Sequence, residues 1–398
     1  MEDEGPTMAS EILIYAELLS NIRQISLAVS LPSPVDNSTR ASVAADGLTF
    51  AVWHHGHTRT LTLPAKAALG ATSLPLQNRG ATTLSWRLPV SPDDLPQSPV
   101  SQGSLWSATD LDAGSGVACR ACGASLVQPN AVIWKDLPSE NWAEMMEFWH
   151  CHKPAVDPNH SHPGAGSEKA DEASLASRGY GASSVISAQK GVGFVDLTTI
   201  LLAESDCDGL TFSHSHFAQG SPNRQDLPEI QSRSLNIFCS SCRAQLGFFN
   251  FRTAAVTLLK WQISCKSASG ILPGIPECLA ATLTSTISRS GSAKSLITPI
   301  PDSQEKSDQA IHIWVLNSGI VYSSSAISQS TPAIKLLYKE IGREQADRML
   351  EDLNCDAQEI NLPAKAISSV LDHLDESNMM LPSTERALKG WKVGLLKR

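Results

Sequence analysis

Two short cysteine motifs constrain this chain more than anything else in it. The first reads Cys119-Arg120-Ala121-Cys122-Gly123-Ala124-Ser125-Leu126, the second Cys239-Ser240-Ser241-Cys242-Arg243-Ala244-Gln245-Leu246. In each, two cysteines at i, i+3 are followed by Ala two residues on and Leu four residues on. A tight turn with that spacing points both sulfurs at one spot. Two such turns supply the four thiolates of a tetrahedral zinc site, with Cys119, Cys122, Cys239 and Cys242 as the expected ligands. The matched surroundings favour treating the motifs as a pair. The 116 residues between them (123 to 238) far exceed the roughly 15–20 of familiar four-cysteine ribbons. Independent reduced thiols and disulfides therefore stand as alternatives to a shared zinc.

The segments that enter and leave the motifs read as β. Leu235-Asn236-Ile237-Phe238 runs into the second, Gly247-Phe248-Phe249 leaves it, and Thr253 to Ile263 is a further apolar strand. Gly193 to Leu202 reads as a buried strand or strand pair. The picture is of antiparallel sheets pinned at their tips by the metal. Cys207 with His214 and His216 is a weaker metal candidate on a loop.

The N-terminal third is also β-like. Glu11 to Leu19 is apolar enough for a buried strand, a short helix being the alternative, and Ile25 to Leu31 and Leu84 to Leu88 alternate. Leu48 to Trp53 and Arg59 to Pro64 flank His54-His55-Gly56-His57, a hairpin turning on Gly56. Three histidines at one tip are a set a metal can use. With no carboxylate or cysteine beside them in sequence, a polar hairpin end is the simpler reading.

After the first motif comes Pro138-Ser139-Glu140-Asn141-Trp142, continuing to Trp149-His150-Cys151-His152-Lys153-Pro154. Ser139 suits an N-cap, and Trp142, Met145, Met146 and Trp149 fall on one face of a short helix that Pro154 stops. That helix delivers Cys151 and His152 at its end, a donor pair that a borderline-soft metal favours. Residues 155–190 then lose their apolar runs and read as a disordered insertion. Further on, Glu277 to Ser288 reads as a helix, and Arg289 to Gln309, rich in Ser, Pro and charge, as a loop. Ile311 to Leu316, the turn Asn317-Ser318-Gly319 and Ile320 to Tyr322 read as a hairpin. Ala333 to Ile341 is a strand or the start of a helix. Glu344 to Leu353 and Ala364 to Leu374 read as helices, and the chain closes in a strand.

Composition narrows the class. The 398 residues carry a net charge of −9, which disfavours direct nucleic-acid binding. No run of about 18 apolar residues marks a membrane span. The acidic start lacks the pattern of a secretory signal. Nine cysteines, an odd number, then suggest a reducing compartment, cytoplasmic or nuclear. No Gly-rich phosphate loop, Gly-x-Ser-x-Gly elbow or His-Glu-x-x-His helix is present.

The two cysteine pairs, the block Pro138-Ser139-Glu140-Asn141-Trp142 to Trp149-His150-Cys151-His152, the strand Leu258-Leu259-Lys260-Trp261 and the ending Leu381-Pro382 to Trp391-Lys392-Val393 together resemble the ubiquitin-conjugating-enzyme-binding proteins, also called HECT-like ubiquitin ligases. The resemblance implies binding of a ubiquitin-charged conjugating enzyme and promotion of ubiquitin transfer. It also implies a link to the zinc-dependent nuclease that cleaves pre-mRNA at its 3′ end, engaged through the segment Trp149-His150-Cys151-His152, with Trp142, Trp149, Cys151 and His152 as the expected partner-binding residues. A HECT ligase proper carries a thioester-forming cysteine near its end. This chain has Leu381-Pro382-Ser383-Thr384 there and no cysteine after Cys355. That leaves Cys265, Cys278 and Cys355 as acceptor candidates, none beside a histidine in sequence and each also readable as a small buried hydrophobe. The expected fold is α+β, mostly β, with antiparallel sheets, a zinc-pinned pair of Cys-x-x-Cys hairpins and a few short helices. The expected organisation is an N-terminal β region (1–100), a zinc-pinned β module (101–285) and a C-terminal α+β HECT-like region (286–398).

Overall fold

The computed structural model describes residues 11–92, 106–137, 187–213, 234–300 and 308–398, apart from 69, 77–79, 113, 252, 253, 269, 328 and 353. The helix read over Ser139 to Pro154, nearly all of the insertion read over 155–190, and His214 and His216 lie outside the described residues. The strands in chain order are β1 Leu13–Leu19, β2 Gln24–Ser30, β3 Arg40–Val43, β4 Thr49–His54, β5 His57–Thr62, β6 Thr72–Ser73, β7 Thr83–Pro89, β8 Val117–Cys119, β9 Ser125–Val127, β10 Ile133–Asp136, β11 Val192–Val195 and β12 Thr199–Ala203. They continue as β13 Leu210–Phe212, β14 Ser234–Cys239, β15 Gln245–Asn250, β16 Ala255–Leu259, β17 Ile263–Cys265, β18 Lys294–Pro299, β19 Gln309–Ser324, β20 Thr331–Gly342, β21 Gln358–Leu362, β22 Ala387–Leu388 and β23 Trp391–Lys397. The helices are α1 Ile275–Ser290, α2 Arg343–Glu351 and α3 Ala364–Met379. The described chain is thus mostly β, in largely antiparallel sheets.

Two compact units divide the chain, residues 1–102 with 275–398, and residues 103–274. In the first, a large sheet runs β22-β23-β20-β19-β1-β2-β7, with β18 pairing both β19 and β21. A four-stranded sheet runs β5-β4-β3-β6. The alternation of β1, β2 and β7 sends Ile14, Leu27 and Trp86 into one core with Phe50 and Val52 of β4. The join between β1 and β19, with Tyr15 opposite Ser324 and Leu18 opposite Val321, links the two ends of the sequence within one sheet.

Two expectations in this unit are corrected. Asn317-Ser318-Gly319 does not turn the chain. It lies inside the continuous 16-residue strand β19, where the pairing with β20 slips between Val315 and Asn317 and again between Asn317 and Ile320. The Gly319 N–H donates to Asn317 Oδ1 at 3.0 Å. The local turn chemistry is therefore satisfied as a bulge, and the 12-residue partner β20 carries the strand past it. The stretch read as a loop over 289–309 contains β18. Its Leu296 and Ile297 are fully buried between β19 and β21. The Ser- and Pro-rich flanks masked a strand that is buried on both sides and so shows no alternation.

The second unit has one sheet in the order β10-β11-β12-β16-β15-β14-β13 and a smaller one in the order β17-β8-β9. Val117, Leu126, Ile200, Ile237, Leu246, Leu258 and Ile263 form its core, and Cys119 and Cys239 belong to that core. Gly247 lets β15 lie close against β16, since a Cβ there would meet the Thr257 backbone oxygen at 1.9 Å.

Candidate metal centre

Each cysteine pair sits on a turn between two antiparallel strands. β8 ends at Cys119 and β9 begins at Ser125; β14 ends at Cys239 and β15 begins at Gln245. The turns are built alike. The Cys119 N–H donates to Ala124 O (2.8 Å) and the Gly123 N–H to Cys119 O (2.8 Å). In the second turn the Cys239 N–H donates to Ala244 O (2.9 Å) and the Arg243 N–H to Cys239 O (2.9 Å). The residue after each second cysteine is left-handed, Gly123 at φ 74 and Arg243 at φ 64. This conformation is free for glycine and costs an arginine about 1–2 kcal/mol.

The two turns meet. Cys119 Sγ lies 3.6 Å from Cys242 Sγ and Cys122 Sγ lies 3.7 Å from Cys239 Sγ. All four sulfurs fall within 4.8 Å of one another. A metal bound tetrahedrally at about 2.3 Å from each sulfur requires edges of about 3.8 Å, so the four residues fit such an ion. The segment before β13 ties both turns together. The Asp208 N–H donates to Leu126 O of the first hairpin, and Gly209 O accepts from the Ser240 N–H of the second, both at 2.8 Å. Behind the first turn, the Arg120 guanidinium donates to Trp261 O and Pro273 O at 3.2 and 2.6 Å.

Cys119 and Cys239 are buried while Cys122 and Cys242 are exposed. Burial raises the Cys119 thiol to about 12. Burial also opposes charge at Cys239, but the N–H groups of Cys242 and Ser241 outweigh it and bring that thiol down to about 7. Main-chain N–H groups aimed at sulfur are what a bound thiolate needs. Four thiolates at these separations would repel one another, and a cation among them offsets that repulsion.

The other sequence candidates lie elsewhere. Cys207 is half-buried, its thiol pushed to about 12 by burial and then by Asp206 and Asp208. Cys265 borders a cavity of about 440 Å³ with Ser264, Lys266 and Val117, and burial pushes its thiol to about 12 against the pull of Lys260. Cys278 is buried on α1, and Cys355 is half-buried after α2. Trp142, Trp149, Cys151 and His152 lie outside the described residues. Sequence reading missed Asp36, whose carboxylate joins His54 and His55 at the hairpin tip. No sequence neighbour signals it, because the loop before β3 brings it there.

No helix among the described residues is long and apolar enough to cross a membrane. The family model described as HECT-like ubiquitin-conjugating enzyme (E2)-binding matches residues 17–393. An uncharacterized protein of Saccharomyces cerevisiae is 22% identical over 295 residues, covering 72% of this chain and 71% of its own. An uncharacterized protein of Schizosaccharomyces pombe is 23% identical over 311 residues, covering 74% and 77%. No solved structure matches the chain.

Proposed function

The chain belongs to the HECT-like ubiquitin-conjugating enzyme (E2)-binding family, and from that premise we propose that it is a ubiquitin-protein ligase that binds a ubiquitin-charged conjugating enzyme and promotes ubiquitin transfer to substrates. The observation that carries this reading is the span of the family match, 17–393, which takes in both structural units rather than one grafted module. In the proposed step a substrate amine attacks the thioester carbonyl held on the conjugating enzyme. An isopeptide bond forms, the carbon–sulfur bond breaks, and the thiolate leaves on the conjugating enzyme.

No thioester on this chain is needed for that step. Burial opposes thiolate formation at Cys265, and Cys278 is enclosed on α1. A nucleophile must be both ionised and reachable. The four-cysteine site takes zinc in this reading. Four protein ligands close the coordination shell, so the zinc pins the hairpins and offers no open position for a substrate. The protein acts in the cytoplasm, the nucleus or both.

A charged conjugating enzyme mixed with this protein and free lysine tests the reading. We expect faster discharge and a complex that persists on gel filtration. Unchanged discharge with no complex overturns it. A reducible ubiquitin adduct on this chain would replace direct transfer with a covalent relay. The Cys151-His152 pair favours a second role, as adaptor of the zinc-dependent 3′-end nuclease, and Cys151→Ala should then abolish co-purification with that nuclease.

A further inference from the structure

The tip of the β4–β5 hairpin carries a cluster that none of the chemistry above uses. β4 ends at His54 and β5 begins at His57, with His55 and Gly56 turning the chain at φ 47 and 79. Strand alternation buries His54 completely, and the turn places His55 in solvent. The loop between β2 and β3 folds against this tip. Asp36 Oδ2 lies 3.3 Å from His55 Nε2. The other oxygen, Asp36 Oδ1, accepts from Ser38 N–H at 2.8 Å, Ser38 Oγ at 2.6 Å and Thr39 Oγ1 at 3.3 Å.

His54 is held as firmly. Its Nε2 lies 2.8 Å from Ser33 Oγ and its Nδ1 2.9 Å from Thr39 Oγ1. The two imidazoles meet edge to face with centroids 4.4 Å apart. Thr39 Oγ1 touches both His54 Nδ1 and Asp36 Oδ1, so Nδ1 is the nitrogen on the carboxylate side. One donor atom from each of Asp36, His54 and His55 falls within 4.8 Å of the others.

We propose that Asp36, His54 and His55 form a second divalent-metal site, separate from the cysteine centre, that takes zinc through Asp36 Oδ2, His54 Nδ1 and His55 Nε2. Two imidazoles and a carboxylate are donors that zinc accepts, and three protein ligands leave a fourth position for water. Asp36 Oδ1 is anchored by Ser38 and His54 Nε2 by Ser33, while Thr39 Oγ1, which holds His54 Nδ1 at 2.9 Å, turns aside for the ion to bind there. Such supporting contacts fix the orientation of metal ligands. An exposed His55–Asp36 ion pair uses only one of the two rings, and such pairs contribute little.

The test counts zinc per chain in the full-length protein after dialysis against excess zinc and removal of the free ion. His55→Gly suits the left-handed turn and deletes one ligand; Asp36→Asn deletes the charge and serves if the first variant fails to fold. Wild type should hold one zinc more than either variant, with affinity for that ion falling by about tenfold or more on substitution. Cobalt titration should show one equivalent that adds no thiolate-to-cobalt charge-transfer absorption. The double variant Cys119→Ser, Cys122→Ser should lose the other ion and keep this one. Equal zinc in wild type and in both tip variants overturns the proposal. If instead the cysteine variant matches wild type while the tip variants lose zinc, the cysteine reading fails and this one stands.

Discussion

Cys119 Sγ lies 3.6 Å from Cys242 Sγ although 123 positions separate the two residues. The contact closes one turn onto the other, and both turns end strands whose first cysteines belong to the core. Zinc binding in small modules is worth about 10–16 kcal/mol, against a whole-domain stability of about 5–15 kcal/mol. Cys239→Ser is therefore expected to unfold residues 103–274 rather than loosen a loop. Limited proteolysis should cut that unit while residues of the other unit stay protected, and strong chelators should reproduce the effect in wild type.

Gly247 and Gly123 should respond differently to alanine. At Gly247 a new Cβ meets the Thr257 carbonyl oxygen, which is backbone and cannot swing aside. We expect a loss of about 3 kcal/mol in urea denaturation. At Gly123 a Cβ meets nothing within 4 Å, so Gly123→Ala costs only the left-handed conformation, about 1 kcal/mol. Equal midpoints for the two variants would contradict the β15–β16 contact.

Glu17 on β1 and Lys335 on β20 form a largely buried pair across the intervening strand β19 of the large sheet. Lys335 Nζ lies 2.8 Å from Glu17 Oε2, and the Tyr15 hydroxyl donates to the same oxygen at 2.8 Å. Burial and the Glu17 charge together raise Tyr15 well above its ordinary value. Lys335→Met strands the carboxylate and should destabilise the protein by about 3–5 kcal/mol. Adding Glu17→Gln should restore a measurable part of that loss in the double-mutant cycle.

His312 is expected to make the protein sensitive to mild acid. Its Nε2 is buried without a hydrogen-bond partner, and its ring packs against Trp391 at 4.7 Å. Burial first, then Lys294 and Lys339, lower its pKa, with Asp356 opposing. The unfolded histidine takes up a proton near 6.5 where the folded one resists. Its contribution is therefore fully present above about pH 6.5 and is lost as the pH falls toward the lower folded value. His312→Phe keeps the ring contact without a proton site. Its melting temperature should fall less between pH 7 and pH 5 than that of wild type.

Much of this was legible in the residues themselves. The i, i+3 cysteines and their echoed Ala and Leu identify the paired turns, because a knuckle is a local object of a few residues. The hairpin of β4 and β5 around Gly56 is local in the same way. Asn317-Ser318-Gly319 shows the limit. Its turn chemistry is real, yet β20 pairs along the whole length and absorbs it as a bulge. β18 shows another limit, since a strand covered on both sides has no periodicity to read.

What only the tertiary structure decided is which distant pieces meet. β1 pairs with β19, Asp36 reaches His55 and Cys119 reaches Cys242. Spacing and side-chain chemistry fix what a turn or strand can do within a few residues. Pairing across hundreds of residues follows from which apolar faces bury one another, and no single stretch of sequence carries that information.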